Sequence, residues 1–272
     1  MALTAFQRAI CRLLADQRLA SGDSYVAGGT ALNALIESSR ISRDIDLFHD
    51  TDEALEASWD SDQRTLRDHG CAIRIVRQRS SFVEAEVSRD GETVLLEWAR
   101  DSAYRFFPLV EHGDFGLTLH PFDLATNKIL ALVGRLEVRD WIDVVHCGER
   151  IQPLGYLAWA ACGKDPGFSP AGILEHASRS THYAASEVLA LSFEGTPPDP
   201  AALSRRWHAM LAEARDVVEA LPPPEVGRCV LDPDAGLFAG GVTELRESLD
   251  AGRLVFHPGR IRGALPRVKS TD

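Results

Sequence analysis

The chain carries two short patterns in close succession, Gly28-Gly29-Thr30-Ala31-Leu32 and then Arg40-Ile41-Ser42-Arg43-Asp44-Ile45-Asp46-Leu47-Phe48. Before the first pattern, Tyr25-Val26-Ala27 predicts a short strand, and residues 30–36 predict a following helix with Thr30 as its candidate N-cap. Glycines at such a junction let backbone N–H groups approach a ligand closely, and a helix N-terminus favours anions. The first pattern therefore predicts a place where a triphosphate binds.

The second pattern places two carboxylates, Asp44 and Asp46, on a predicted strand whose neighbouring residues are apolar. Residues i and i+2 of a strand point to the same face, so both carboxylates are expected to face the same way. Two like charges this close repel each other unless a cation lies between them, and Mg²⁺ or Mn²⁺ carrying substrate phosphates suits such a pair. Alone, a glycine pair is usually a turn and Asp-x-Asp a solvated strand end, but their order here favours a functional site.

These residues resemble the nucleotidyltransferases of the DNA polymerase β superfamily, and within it the AbiEii/AbiGii toxin-like branch. The resemblance covers Gly28 to Leu32 and then Arg40, Ser42, Asp44, Asp46, Leu47 and Phe48. It implies an α+β fold, with a polymerase β-like mixed sheet and helices followed by a mostly α-helical C-terminal half. It also implies that Asp44 and Asp46 hold the metal, and that the nucleotide is bound by Gly28, Gly29, Thr30, Arg40 and Ser42.

Sites of this superfamily usually contain a third carboxylate on a neighbouring strand. Glu97, in Leu95-Leu96-Glu97-Trp98-Ala99, is the best placed candidate as metal ligand or base, although the family more often has Asp there. Glu84 and Glu86 are rival positions. The alternative that Glu97 is an ordinary carboxylate at the exposed face of a strand stays open.

Further along the chain, Lys128 and Arg135 are seven residues apart and are expected to share one face of a helix. Such a cationic stripe could hold the β- and γ-phosphates. Asp140 and Asp143 follow at a predicted helix start, where an ordinary capping and helix-dipole arrangement would explain Asp140 better than Asp143. The segment also resembles the toxin-like branch, which implies site roles for Lys128, Arg135 and Asp143, with Asp143 an alternative to Glu97 as the catalytic carboxylate.

Periodicity predicts helices over residues 4–18 and 53–69, and three consecutive strands over 71–76, 82–87 and 93–98. From Pro121 onward there is little strand signal, and the predicted helices cover 123–134, 139–148, 153–163, 170–178, 184–192, 200–220 and 240–250. We therefore expect a nucleotidyltransferase core over residues 1–108. A helical domain over 109–272 is expected to contribute phosphate-binding and acceptor-binding residues.

Composition excludes several other classes of protein. The chain has 272 residues, of which 45% are hydrophobic and 25% charged, as in ordinary globular proteins. The N-terminus lacks a basic region followed by an apolar one, and no apolar run is long enough to span a bilayer, so a cytoplasmic protein with no membrane partner is expected. Five scattered cysteines indicate neither a disulfide framework nor a zinc site.

A net charge of −11 argues against general phosphate neutralisation of a nucleic acid, so any such substrate would need a local basic patch. Two candidate patches are found. The first is Arg205 with Arg206 on a predicted helix, and the second is a tail containing Arg260, Arg262, Arg267 and Lys269.

The predicted activity is metal-dependent transfer of a nucleoside monophosphate from ATP, GTP, CTP or UTP to a hydroxyl acceptor. The resemblance implies an acceptor such as tRNA and an antitoxin that restrains the enzyme. Acidic net charge favours a small-molecule acceptor, such as an antibiotic, as the alternative. Two further alternatives are a non-catalytic module that binds a nucleotide or a partner, and a structural protein in which both patterns are accidental.

Overall fold

The structure is a computed structural model that describes residues 3–179 and 183–266. The helices are α1 Ala5–Ser21, α2 Gly28–Leu35, α3 Asp52–Asp68, α4 Pro121–Arg135, α5 Val138–Arg150, α6 Leu154–Ala161, α7 Pro170–Ser178, α8 Ala185–Leu189, α9 Pro200–Ala220 and α10 Val242–Asp250. The strands are β1 Ser24–Ala27, β2 Asp44–His49, β3 Ala72–Arg79, β4 Phe82–Arg89, β5 Glu92–Arg100, β6 Tyr104–Arg105, β7 Val110–His112, β8 Gly116–Thr118, β9 Arg228–Leu231, β10 Val255–Pro258 and β11 Arg260–Ile261. Arg267 and Lys269 of the predicted basic tail lie outside the described residues.

Contacts within the chain group the described residues into two compact units. The first comprises those of Met1–Ala103, Leu109–His120 and Ser192–Gly195, and the second those of Tyr104–Pro108, Pro121–Leu191 and Thr196–Asp272. Residues 109–120, which follow the boundary predicted at residue 108, thus form β7 and β8 of the first unit.

A seven-stranded sheet in the order β3-β4-β5-β2-β1-β8-β7 is the centre of the first unit. β2 is parallel to β5 and β1 is parallel to β8, whereas the other neighbours are antiparallel. The sheet is therefore mixed, and the α+β class predicted from the sequence is confirmed.

One face of this sheet is apolar and packs under α1 and α3. Alternate residues of β2 and β5 are buried there, among them Ile45, Leu47, Leu96 and Trp98. Trp59 of α3 meets Trp98 edge to face with ring centroids 4.6 Å apart. Burial of each such side chain contributes about 1.5–3 kcal/mol, which fixes the register of the strands. The residues between them, including Asp44, Asp46 and Glu97, consequently face the other way and are only half-buried.

A buried ion pair crosses the packed layer between α1 and α3. Arg18 Nη2 lies 2.8 Å from Asp62 Oδ2, with side-chain exposures of 1% and 0%, and Trp98 Nε1 donates to the same oxygen at 2.7 Å. His49 at the end of β2 is also fully buried, and burial lowers the pKa of its imidazole to about 4. These contacts join α1 to α3, and α3 to β5, the strand that pairs with β2.

The second unit contains helices α4 to α10. One cluster of its core unites α6, α9, α10 and β9, and it consists of Tyr156, Trp159, Val217, Leu221, Val230, Phe238 and Leu245. Two small antiparallel pairs, β9 with β10 and β6 with β11, complete the unit. Within the described part of the chain, no helix is both long and apolar enough to cross a membrane.

The helices and the three consecutive strands predicted from periodicity are present. The strands β9 and β10 contradict the prediction that the chain after Pro121 has little strand. Each is four residues long, and 23 residues that include α10 separate them, so neither alternation nor a short turn marks them as a pair.

Candidate active site

The glycine turn and the aspartate strand lie against each other. β1 and β2 are antiparallel with Ala27 opposite Asp46, so Asp46 stands beside the point where β1 becomes α2. Gly28 has a φ of +62°, and a Cβ built on it would lie 1.5 Å from Asp46 Oδ2. Only glycine combines that backbone conformation with that close approach. The two sequence patterns therefore meet directly at Gly28 and Asp46.

Arg40 and Ser42 lie beside the second glycine. A Cβ on Gly29 would lie 2.7 Å from Arg40 Nη2 and 3.0 Å from Ser42 Oγ. The Ser42 hydroxyl donates to Asp44 Oδ1 at 2.8 Å, which fixes the orientation of that carboxylate. A guanidinium and a helix N-terminus thus flank the turn, and both attract anions.

Thr30 does not cap α2, so that prediction is wrong. The helix already begins at Gly28, its N-cap residue is Ala27, and no side chain caps it. Thr30 is fully buried within the first turn, and its hydroxyl donates to the carbonyl oxygen of Asp44. The side chain therefore holds the start of β2 against α2.

Strand register distinguishes the candidates for the third carboxylate. Parallel pairing puts Glu97 of β5 next to Asp46 of β2, and both belong to the half-buried face. Glu84 lies one strand further away, opposite Glu97, and forms an ion pair of 3.5 Å with Arg77. Glu86 is opposite Leu95 and is paired with Arg74. Glu97 is therefore the strand neighbour of the aspartate pair.

The donor set fits a divalent cation that arrives with a nucleotide. Mg²⁺ is usually held by one or two carboxylates together with substrate phosphates and water, and Asp44 and Asp46 supply such a pair on one face. Among residues 3–179 and 183–266, no group of three or more His, Cys, Asp or Glu side chains is arranged to hold a metal ion. The pair beside an anion-attracting turn matches a site completed by phosphate oxygens.

A second cluster of charges lies within the second unit, on α4 and α5. Lys128 Nζ is 3.0 Å from Asp140 Oδ1 and 3.3 Å from Asp143 Oδ2, and both aspartates are fully buried. Arg135 Nε and Nη2 donate to Asp140 Oδ2 and Oδ1 at 2.6 and 3.0 Å. Lys128 and Arg135 therefore share a face of α4, as their spacing predicts.

Asp140 is the residue whose role sequence analysis missed. The N-cap of α5 is Glu137, and Asp140 lies in the first turn, where an acidic side chain complements the helix dipole as predicted. Its carboxylate also binds both cations. Burial raises the pKa of the Asp140 carboxyl, but the charges of Lys128 and Arg135 and the hydrogen bonds from them outweigh that effect and lower it overall. Because Asp140 is on α5 and the two cations are on α4, helical spacing gave no signal for this contact.

Comparison with known proteins identifies the family. The sequence profile described as nucleotidyl transferase AbiEii toxin, type IV TA system, matches residues 12–219, which include both patterns and the α4–α5 cluster. The chain belongs to the AbiEii nucleotidyltransferase toxin family. It is therefore a nucleotidyltransferase of a toxin–antitoxin family, and the family resemblance seen in the sequence is confirmed. No curated protein gives a significant sequence match.

Two solved structures are similar to this chain. The nucleotidyltransferase toxin MenT4 from Mycobacterium tuberculosis H37Rv is 17% identical, with a TM-score of 0.50, over 79% of this chain and 83% of that one. The protein JHP933 from Helicobacter pylori is 15% identical, with a TM-score of 0.47, over 78% of this chain and 91% of that one. At such low identity, the likeness to MenT4 shows a common fold alone.

Proposed function

We propose that this AbiEii-family protein transfers a nucleoside monophosphate from a nucleoside triphosphate to a hydroxyl of an RNA acceptor such as tRNA. The acceptor oxygen bonds to the α-phosphorus, the bond from that phosphorus to the bridging oxygen breaks, and pyrophosphate leaves. The observation that carries the proposal is the close approach of Gly28 to Asp46. A Cβ built on Gly28 would lie 1.5 Å from Asp46 Oδ2, so the predicted phosphate-binding turn lies directly against the carboxylate pair.

We assign each candidate site residue of the first unit a part in this reaction. The backbone N–H groups at Gly28 and Gly29 and the Arg40 guanidinium bind the phosphates. Ser42 orients Asp44 through its hydrogen bond, and Thr30 holds the strand that carries it. Glu97, next to Asp46, accepts the proton that the acceptor hydroxyl loses. Positioning supplies a large part of the rate in such transfers.

A divalent cation, Mg²⁺ or Mn²⁺, would be held by Asp44 and Asp46 with Glu97 nearby, and when bound it neutralises charge on the phosphates. The roles predicted for Lys128, Arg135 and Asp143 stay predictions. The observation that supports these roles lies within the second unit: Lys128 and Arg135 both donate hydrogen bonds to the buried carboxylate of Asp140.

Family membership supports an antitoxin partner, and the use of nucleoside triphosphates supports action in the cytoplasm. All five cysteines are buried and free of disulfides, which suits a reducing compartment. The acidic net charge of −11 favours a small-molecule acceptor as the second candidate.

The test is incubation of the purified protein with Mg²⁺, each labelled nucleoside triphosphate in turn, and total tRNA. The comparison variant is Asp44→Ala/Asp46→Ala. Its matched control is Asp60→Ala/Asp68→Ala, which removes the same charge from exposed positions of α3. Label should enter RNA with the unsubstituted chain and with the control, and not with the Asp44/Asp46 variant.

Two other outcomes would change the proposal. Equal transfer by the Asp44/Asp46 variant would refute the assigned site. Metal-dependent stabilisation by a nucleoside triphosphate without transfer to RNA would reject the RNA acceptor and favour the small-molecule acceptor.

A further inference from the structure

The edge strand β3 presents its arginines on the face of the sheet that carries the aspartates. Its register with β4 pairs Arg74 with Glu86, Arg77 with Glu84 and Arg79 with Phe82. β4 in turn places those three partners on the half-buried face that includes Glu97. We call Arg74, Arg77 and Arg79 the β3 arginine row.

A bulge in β3 creates this arrangement. The register shifts between Ile75 and Arg77, so Val76 is the extra residue. Without it, the odd separation of Arg74 and Arg77 would send the two side chains to opposite faces. The bulge brings all three members of the row to one side.

The row is exposed and partly pre-positioned. The side chains of Arg74 and Arg77 are 66% and 52% exposed, and their ion pairs with Glu86 and Glu84 lie at the surface, where such pairs are weak. The Arg77 guanidinium also lies 4.6 Å from the centroid of the Phe82 ring. Arg79 is exposed and takes part in no ion pair within the part of the chain that the structure describes.

The row and the aspartates are separated by three strand-to-strand steps of about 4.8 Å, so the β3 backbone lies about 14 Å from that of β2. Arginine side chains are long enough to extend over part of that distance. A chain of phosphates lying across the sheet could therefore contact the row while its end is at Asp44 and Asp46.

We propose that the β3 arginine row binds backbone phosphates of a nucleic-acid acceptor whose hydroxyl end lies at Asp44 and Asp46. This inference rests on the proposed function and adds the surface that holds the acceptor. In a chain with a net charge of −11, an exposed row of three cations beside a candidate catalytic face is the kind of local patch that binding of phosphates requires. An aromatic ring next to such cations is also typical of single-strand binding.

The patch predicted at Arg205 and Arg206 is less suited. Arg206 of α9 forms an ion pair of 2.8 Å with Glu149, and Arg205 lies 3.9 Å from Asp199. Neither belongs to the unit that carries the aspartates.

The test compares Arg77→Ala/Arg79→Ala with Arg64→Ala/Arg67→Ala in the full chain. The second pair removes the same charge from exposed positions of α3, which packs on the opposite face of the sheet. Binding of 5′-labelled total tRNA is measured without nucleotide at several salt concentrations. The Arg77/Arg79 variant should bind roughly tenfold more weakly, and its slope of log affinity against log salt should fall by about 1.4 to 1.8, the contribution of two phosphates.

Arg77→Lys/Arg79→Lys keeps both charges and should keep the salt slope. Equal affinity and slope in the Arg77/Arg79 and Arg64/Arg67 alanine variants would overturn the inference. Failure of the unsubstituted chain to bind tRNA would overturn it as well. Stabilisation by a nucleoside triphosphate with Mg²⁺ tests the proposed function separately, because the row lies outside the nucleotide site, and it should be unchanged in every variant of the row.

Discussion

Replacement of Gly28 by alanine should inactivate the enzyme by displacing Asp46. The variant adopts the left-handed conformation at φ +62°, which costs about 1–2 kcal/mol for a residue with a Cβ. Its new methyl group would lie 1.5 Å from Asp46 Oδ2, whereas carbon contacts are normally about 3.5 Å. The carboxylate must therefore shift by about 2 Å, and a displacement of about 1 Å can already cost a hundredfold in rate.

Gly22 provides a matched control. It ends α1 with a φ of +70°, and nothing lies within 4 Å of the Cβ that a substitution would add. Gly22→Ala therefore has the same backbone cost without the clash. Each variant should lose about 2–8 °C in Tm from the backbone cost, since about 1 kcal/mol corresponds to about 2–4 °C in a chain of this size. Only Gly28→Ala should lose at least about a hundredfold in kcat/KM, or about 2.7 kcal/mol of transition-state stabilisation.

Two measurements, made at a temperature below the Tm of both variants, test this prediction. The first is transfer of labelled nucleotide to the acceptor. The second is metal-dependent stabilisation by the nucleoside triphosphate, which does not require the acceptor. If Gly28→Ala retained activity within about threefold of Gly22→Ala, the placement of Asp46 by the glycine turn would not matter for catalysis, and the assigned geometry would be refuted.

Three further changes test the fold and the second charge cluster. Asp62→Asn leaves Arg18 buried without its charge partner, so the free energy of unfolding, measured in urea, should fall by about 3–5 kcal/mol. A fall of less than about 1 kcal/mol would contradict this. Asp140→Asn removes the carboxylate that binds both Lys128 and Arg135. In urea unfolding it should lower the free energy of unfolding more than Asp143→Asn does. Equal losses would count against the assignment of Asp140 as the shared partner. Because burial lowers the pKa of His49 to about 4, the unfolded chain alone takes up this proton as the pH falls from about 6.5. Stability should therefore drop by about 3 kcal/mol by pH 4, and His49→Gln should remove that part of the pH dependence of unfolding.

Local rules made part of the candidate site predictable. The order of strand, glycine turn, helix and strand depends on residues within about one supersecondary unit, and the i, i+2 spacing alone puts Asp44 and Asp46 on one face. The seven-residue spacing of Lys128 and Arg135 likewise follows from helix geometry.

The cap prediction for Thr30 failed, and the helix-start interpretation of Asp140 missed its ion pairs, for a common reason. Both residue types do stabilise helix ends, but here each side chain has a partner elsewhere: the Asp44 carbonyl for Thr30, and two cations for Asp140. Capping propensity is local, whereas these partners become available only when elements pack.

The sequence by itself determined the family, the α+β class and the aspartate pair, because each depends on short-range spacing. Only the tertiary structure decided that Glu97 neighbours Asp46 and that the glycine turn contacts the same aspartate, since strand pairing joins residues far apart in the chain. It also decided that a bulge at Val76 turns an irregularly spaced set of arginines into a row on one face. Strand register and bulges depend on which strands pair and on which face of the sheet is buried. Both of these depend on residues distant in sequence, so no single segment determines them.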